Sequence, residues 1–121
     1  MEYLTSNNGV QMPLAGFGTF MLDGETCTEA VSTAIKSGYR MIDTAEAYGN
    51  EKAVGDGIKR SGIDRRELFV VTKVNFKSYE KAEKAVTQSL ANLQTDYIDL
   101  LLLHWSFANY YAAWRVLEKL Y

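Results

Sequence analysis

Apolar residues recur along this chain at two spacings, and the switches between them outline its elements. Tyr3 to Pro13 holds two short alternating stretches around Asn7-Asn8-Gly9, a strong hairpin-turn signal. Leu14 to Phe20 follows as a short strand with glycines suited to close packing. Between Glu25 and Ser37 the apolar positions are Cys27, Ala30, Val31, Ala34 and Ile35, which is helical spacing, and Gly38 supplies a stop. Tyr39–Asp43 reads as a second strand. Asn50–Ser61 reads as a helix with Val54 and Ile58 one turn apart, stopped by Gly62, although Gly55 and Gly57 weaken the helical signal.

Leu68–Thr72 is rich in β-branched and aromatic residues, a third strand. Ser78 is placed to cap a helix running to Leu93, with Ala82, Val86, Leu90 and Leu93 on one face. Tyr97–Leu103 forms the fourth strand, apolar on both faces as a buried parallel strand should be. A last helix starts near Asn109 and turns Ala113, Val116, Leu117 and Leu120 inward; no glycine, asparagine or proline closes it, so the chain is expected to stop within or at the end of that helix. The pattern is a hairpin followed by four β-α units, which implies right-handed crossovers and a parallel sheet. An open doubly wound sheet and a (β/α)8 barrel both begin in this way.

Composition narrows the classes. The 121 residues are 47% hydrophobic with a formal charge of −2, enough for one cored domain, and residues 1–121 are read as a single unit. Acids and bases are mixed with no basic stripe, which argues against a nucleic-acid partner. No apolar run is long enough to span a membrane as a helix. With one cysteine, Cys27, and no signal peptide evident, a reducing cytoplasm is the expected compartment. Cys27 reads as an inert small hydrophobe. One histidine and one cysteine leave no set for structural zinc, so no metal is expected.

In parallel α/β folds, chemistry gathers where strands end. The second strand ends at Asp43, with Tyr48 shortly after; the third ends at Lys73; the fourth, the run of leucines 100 to 103, ends at His104. Each has an ordinary structural explanation: a capping aspartate, a loop aromatic, a charge that ends a strand, a satisfied core histidine. Together they place an acid, a phenol, an ammonium and an imidazole on one rim. An isolated phenol, with a pKa of about 10, is a poor proton donor at neutral pH. A neighbouring ammonium favours the phenolate, a carboxylate holds the ammonium, and a neutral imidazole can orient a carbonyl oxygen. Such a set can protonate a carbonyl oxygen while hydride reaches its carbon, and the hydride must come from a cofactor.

Asp43-Thr44-Ala45, Tyr48-Gly49-Asn50-Glu51, Lys73 after Phe69-Val70-Val71-Thr72, and Leu101-Leu102-Leu103-His104-Trp105 resemble the aldo-keto reductase family, nearest its bacterial branch acting on small dicarbonyls and diketo-sugar acids. Asn8–Pro13 and Gly16–Phe20 match the same family's opening hairpin and first strand. The resemblance implies a (β/α)8 TIM barrel, of which this chain supplies the N-terminal half, since such a barrel takes roughly 250 residues. It implies NADPH as cofactor, a small-molecule carbonyl as substrate, Tyr48 as proton donor, Lys73 and Asp43 as the groups that tune it, and His104 as the group that orients the carbonyl. Gly18, Thr19, Phe20 and Asp43 are then cofactor contacts, and Phe20, His104 and Trp105 substrate contacts.

The same resemblance puts most of the cofactor grip, including the 2′-phosphate loop, in a second half that these residues do not include. Two positions depart from the family pattern: Asn75 stands where many relatives have an aromatic, and Ser106 where proline follows His-Trp. Neither removes a catalytic group. Two other readings stay open. A catalytically incompetent, truncated half barrel would expose strand edges, to be buried by a homodimer or a complementing half. Lys73 could instead form a Schiff base as in aldolases, which leaves Tyr48, Asp43 and His104 without a role. Trp105, Trp114, Tyr110 and Tyr111 either line a substrate wall or pack the last helix. Glu51 is expected to begin its helix and complement the dipole.

Overall fold

Asn8 and Gly9 reverse the chain, Gly9 with φ +84, so that β1 (Tyr3–Thr5) pairs antiparallel with β2 (Gln11–Pro13). The computed structural model describes residues 1–121. After the hairpin come β3 (Phe17–Gly18), α1 (Gly24–Lys36), β4 (Met41–Asp43), α2 (Glu51–Ser61), β5 (Phe69–Val74), α3 (Ala82–Leu93), β6 (Leu100–Leu103) and α4 (Tyr110–Leu120). The last four strands form one parallel sheet in the order β3-β4-β5-β6. Each βα unit therefore lies beside the one before it, and the strand ends share one rim. No helix is long and apolar enough to cross a membrane.

Strand alternation sends Ile42, Val70 and Thr72 under the helices, all three fully buried. Ile42 and Val70 join Cys27, Val31, Ile35, Val54 and Ile58 in one cluster beneath α1 and α2. A second cluster joins Val74, Tyr79, Val86, Ala113 and Leu117 beneath α3 and α4. Cys27 is a free, buried thiol on the inward face of α1, in keeping with its helical spacing, and burial pushes its pKa up. Gly55 and Gly57 do not break α2. An added Cβ would lie 2.7 Å from the Asn92 carbonyl at Gly55 and 2.7 Å from the Thr28 carbonyl at Gly57, so these glycines let α3 and α1 approach.

Several boundaries differ from those the sequence predicts. The first strand is only Phe17–Gly18, because it pairs with β4 alone and its flanks bend away. The third helix begins at Ala82, not after a Ser78 cap. Residues Phe76–Lys81 form a 3₁₀ turn instead, capped by Asn75, whose side chain accepts from Lys77 N–H, and the Ser78 hydroxyl donates elsewhere, to Glu46. β6 starts at Leu100 and is only partly buried, Leu102 being 38% exposed, since it lies at the sheet edge. Tyr97 stays outside it, with the Arg65 guanidinium 4.1 Å over its ring. In α4, Ala113 and Leu117 face inward and Val116 is half-buried, but Leu120 is 46% exposed in the last turn.

Candidate active site

β4 and β5 are paired neighbours, so side chains from their carboxyl ends meet directly. Lys73 Nζ donates to Asp43 Oδ1 at 2.7 Å and to the Thr44 carbonyl at 2.7 Å. The lysine side chain is only 13% exposed, against 40% for the aspartate, so the ammonium is held inside while the carboxylate reaches the open rim. Tyr48 sits on a 3₁₀ turn, Glu46–Tyr48, closed by Gly49 in the left-handed region at φ +66. That turn brings the Tyr48 ring centroid to 5.2 Å from Lys73 Nζ. His104 follows β6, its N–H bonded to the Val74 carbonyl at 3.0 Å, and its ring centroid is 5.8 Å from that of Tyr48. The four groups expected at the strand ends are thus brought together.

His104 Nδ1 is buried with no hydrogen-bond partner, which leaves Nε2 as the nitrogen that can reach an incoming molecule. Burial, and after it the Lys73 ammonium, pushes the His104 pKa below its ordinary value against the pull of Asp43, favouring the neutral ring. Aromatic rings flank the set. Phe20 lies 5.0 Å from Tyr48 between centroids, and Trp105 stacks on His104 at 5.0 Å with 14° between planes. Phe107 extends this wall beside Trp105 at 5.7 Å. Tyr111 and Trp114 instead project outward from α4, and Tyr110 stacks on Tyr111 at 4.3 Å.

The fit of a nicotinamide cofactor can be judged on Gly18, Thr19, Phe20 and Asp43. Nothing lies within 4 Å of a Cβ built on Gly18, and Gly18 is in register with Asp43, so an open floor adjoins a reachable carboxylate. Phe20 is exposed beside it. These residues fit the nicotinamide and ribose end of such a molecule. Thr19 does not act beside them as a contact. It is fully buried, its hydroxyl donates to Thr44 Oγ1 at 2.9 Å, its N–H to the Asp43 carbonyl, and its carbonyl accepts from Asn50. Thr19 shapes the floor from below. Glu51 begins α2, and its buried carboxyl also accepts from Thr72 at 2.7 Å and Ser89 at 3.0 Å; burial pushes its pKa up.

Three residues without a role of their own in the sequence pattern hold the rim. Tyr79 is buried and its hydroxyl bridges the backbone of Trp105, donating to the carbonyl and accepting from the N–H. Asn50 and Glu46 bracket the Tyr48 turn. A phenol, its neighbouring ammonium, a carboxylate and a neutral imidazole around an open floor can polarise and protonate a carbonyl oxygen.

Comparison with known proteins agrees with this chemistry. The chain is 50% identical over 119 residues to the glyoxal reductase of Bacillus subtilis, covering 95% of this chain and 43% of that protein. It is 45% identical over 111 residues to the NADPH-dependent D-xylose reductase of Meyerozyma guilliermondii, covering 87% and 35%. An aldo-keto reductase from a Medee basin deep-sea metagenome library superposes with a TM-score of 0.93 at 45% identity, over 98% of this chain and 45% of that one. The chain thus spans less than half the length of these relatives, and its sheet corresponds to part of their (β/α)8 barrel. The aldo/keto reductase family model matches residues 15–121, and the chain belongs to that family.

Proposed function

We propose that these residues carry the carbonyl-protonating part of an NADPH-dependent reductase that converts an aldehyde, a ketone or a small dicarbonyl or keto-sugar to an alcohol. The observation that supports this reading most directly is the convergence of Asp43, Tyr48, Lys73 and His104 on one rim. NADPH, when bound, supplies hydride to the carbonyl carbon. Gly18 and Asp43 would hold its nicotinamide end, with Phe20 beside it. Tyr48 gives its hydroxyl proton to the carbonyl oxygen. The Lys73 ammonium, fixed by Asp43 and Thr44, stabilises the charge left on the phenol oxygen. His104, neutral and with its proton on Nε2, donates to the same carbonyl oxygen and sets its direction. Phe20 and Trp105 confine a small substrate between aromatic faces.

The test is NADPH oxidation on addition of glyoxal, the substrate in the name of one relative. Tyr48→Phe should lower the rate by about 10²–10⁴-fold, the usual worth of a positioned proton donor. The thermal midpoint should hold, because the ring contacts with Phe20 and His104 remain. A fully active Tyr48→Phe variant would remove the tyrosine from the mechanism.

A second reading is favoured by the sheet edges. β3 and β6 each pair on one side only, and Leu102 is partly open at one of them. On this reading the unit associates with a second copy, or with a complementing half, through those edges.

A further inference from the structure

The turn that presents Tyr48 is three residues long and has no side-chain cap of its own. A turn this short does not by itself fix where a phenol points. The structure ties it down from both sides. Before Tyr48, both oxygens of the Glu46 carboxylate are taken by the loop that follows Lys73: Oε2 accepts from Asn75 N–H at 2.8 Å and Oε1 from the Ser78 hydroxyl at 2.5 Å. After Tyr48, the buried Asn50 donates through Nδ2 to the Thr19 and Leu22 carbonyls, each at 2.8 Å, and accepts from the Thr44 hydroxyl at 3.0 Å. Those bonds fix the loop that carries Phe20, whose ring packs on Tyr48.

The phenol therefore stands between two straps. The Asn50 strap fixes it against Phe20. The Glu46 strap fixes it against the strand end that carries Lys73, because Asn75 is two residues beyond that lysine. We propose that Glu46 is a positioning residue for proton transfer: its carboxylate sets the distance between the Tyr48 phenol and the Lys73 ammonium by tying their two loops together. The proposal rests on the reductase reading for its catalytic consequence, but the strap itself can be measured without turnover. Both Glu46 acceptors face donors, so the strap needs an acceptor of this reach, and alanine leaves the Asn75 N–H and the Ser78 hydroxyl without partners.

The experiment compares the whole chain with Glu46→Ala and Glu46→Gln. Glu46→Ala should speed hydrogen exchange at the Asn75 amide and move the Tyr48 Cζ resonance, read by ¹³C-tyrosine labelling. Its kcat for glyoxal reduction should fall about tenfold to a hundredfold, the scale of a misplaced reacting group, with KM changed less than about threefold. Glu46→Gln keeps one acceptor for Asn75 N–H and an amide that the Ser78 hydroxyl can meet as acceptor, so it should recover most of the loss. If the Asn75 amide exchanges faster while the Tyr48 resonance and kcat stay at wild-type values, Glu46 merely staples a loop and the proposal fails. If Glu46→Ala does not fold, Glu46→Asp draws the carboxylate back from both donors by one methylene, and an unmoved Tyr48 resonance there overturns the proposal equally. If the wild-type chain does not turn over, the half that holds most of the cofactor is needed for turnover, and the Tyr48 resonance alone decides: moved in Glu46→Ala it supports the strap, unmoved it overturns it.

Discussion

His104 has Nδ1 buried without a partner and the Lys73 ammonium close by, so a positive charge on its ring is disfavoured in the folded chain. Its folded pKa lies below the ordinary 6.5 that the unfolded chain would show. The unfolded state therefore takes up this proton first as pH falls. The contribution to stability is full above about pH 6.5 and is lost as pH drops through that value towards the folded pKa. Urea denaturation across this range should show the loss, and His104→Gln should flatten it. Glu51 titrates in the opposite sense, its raised pKa making the folded state the better proton acceptor, so the difference between the two proteins isolates the histidine. Asp43, Lys73 and His104 were legible from sequence because each is the first charged or ionisable group after an apolar strand, and Tyr48 because it follows one closely. Glu46, Asn50 and Tyr79 were not. Each reads locally as a turn residue or a helix aromatic, and each acquires its role from partners 26 to 32 residues away.

The helices show where local preference and packing oppose one another. Gly57→Ala would improve the propensity of α2 by about 1 kcal/mol. The added Cβ, however, would meet the Thr28 carbonyl at 2.7 Å and Val31 Cβ at 2.8 Å. Backbone cannot swing aside like the end of a side chain, and overpacking of this kind costs about 1–3 kcal/mol. The variant should be destabilised on balance, with a lower urea midpoint at unchanged slope. A higher midpoint would mean that α1 and α2 separate at little cost. Periodicity located every helix but could not see these crossings. It also misplaced the start of α3, because Ser78 looked like a cap while its hydroxyl was committed to Glu46.

At the scale of the whole molecule, the alternation of strands and helices was enough to define a parallel α/β sheet. It could not choose between a barrel and an open sheet, a choice that rests on curvature and closure rather than on local pattern. Edge strands follow the same logic: β6 reads as a fully buried strand, yet with a neighbour on one side only it is left partly open. If those edges pair between copies, sedimentation equilibrium should give an average mass that rises with concentration towards that of two chains. A strictly monomeric, well-folded chain would dispose of pairing between copies.

The bonds across the rim also bear on how it is made. Asp43 to Lys73 spans 30 residues, Glu46 to Asn75 29, Thr19 to Asn50 31 and Tyr79 to Trp105 26. None of them skips a unit. A chain emerging from the ribosome can complete each bond once the next strand is made, with no need to hold an unfinished end open for a distant partner. Loop-closure entropy grows slowly with length, so spans of this uniform size present similar barriers at each step. The rim can thereby be assembled in the order in which the chain emerges, Asn50 securing the first loop before Lys73 is free to pair and Tyr79 waiting for Trp105 at the end.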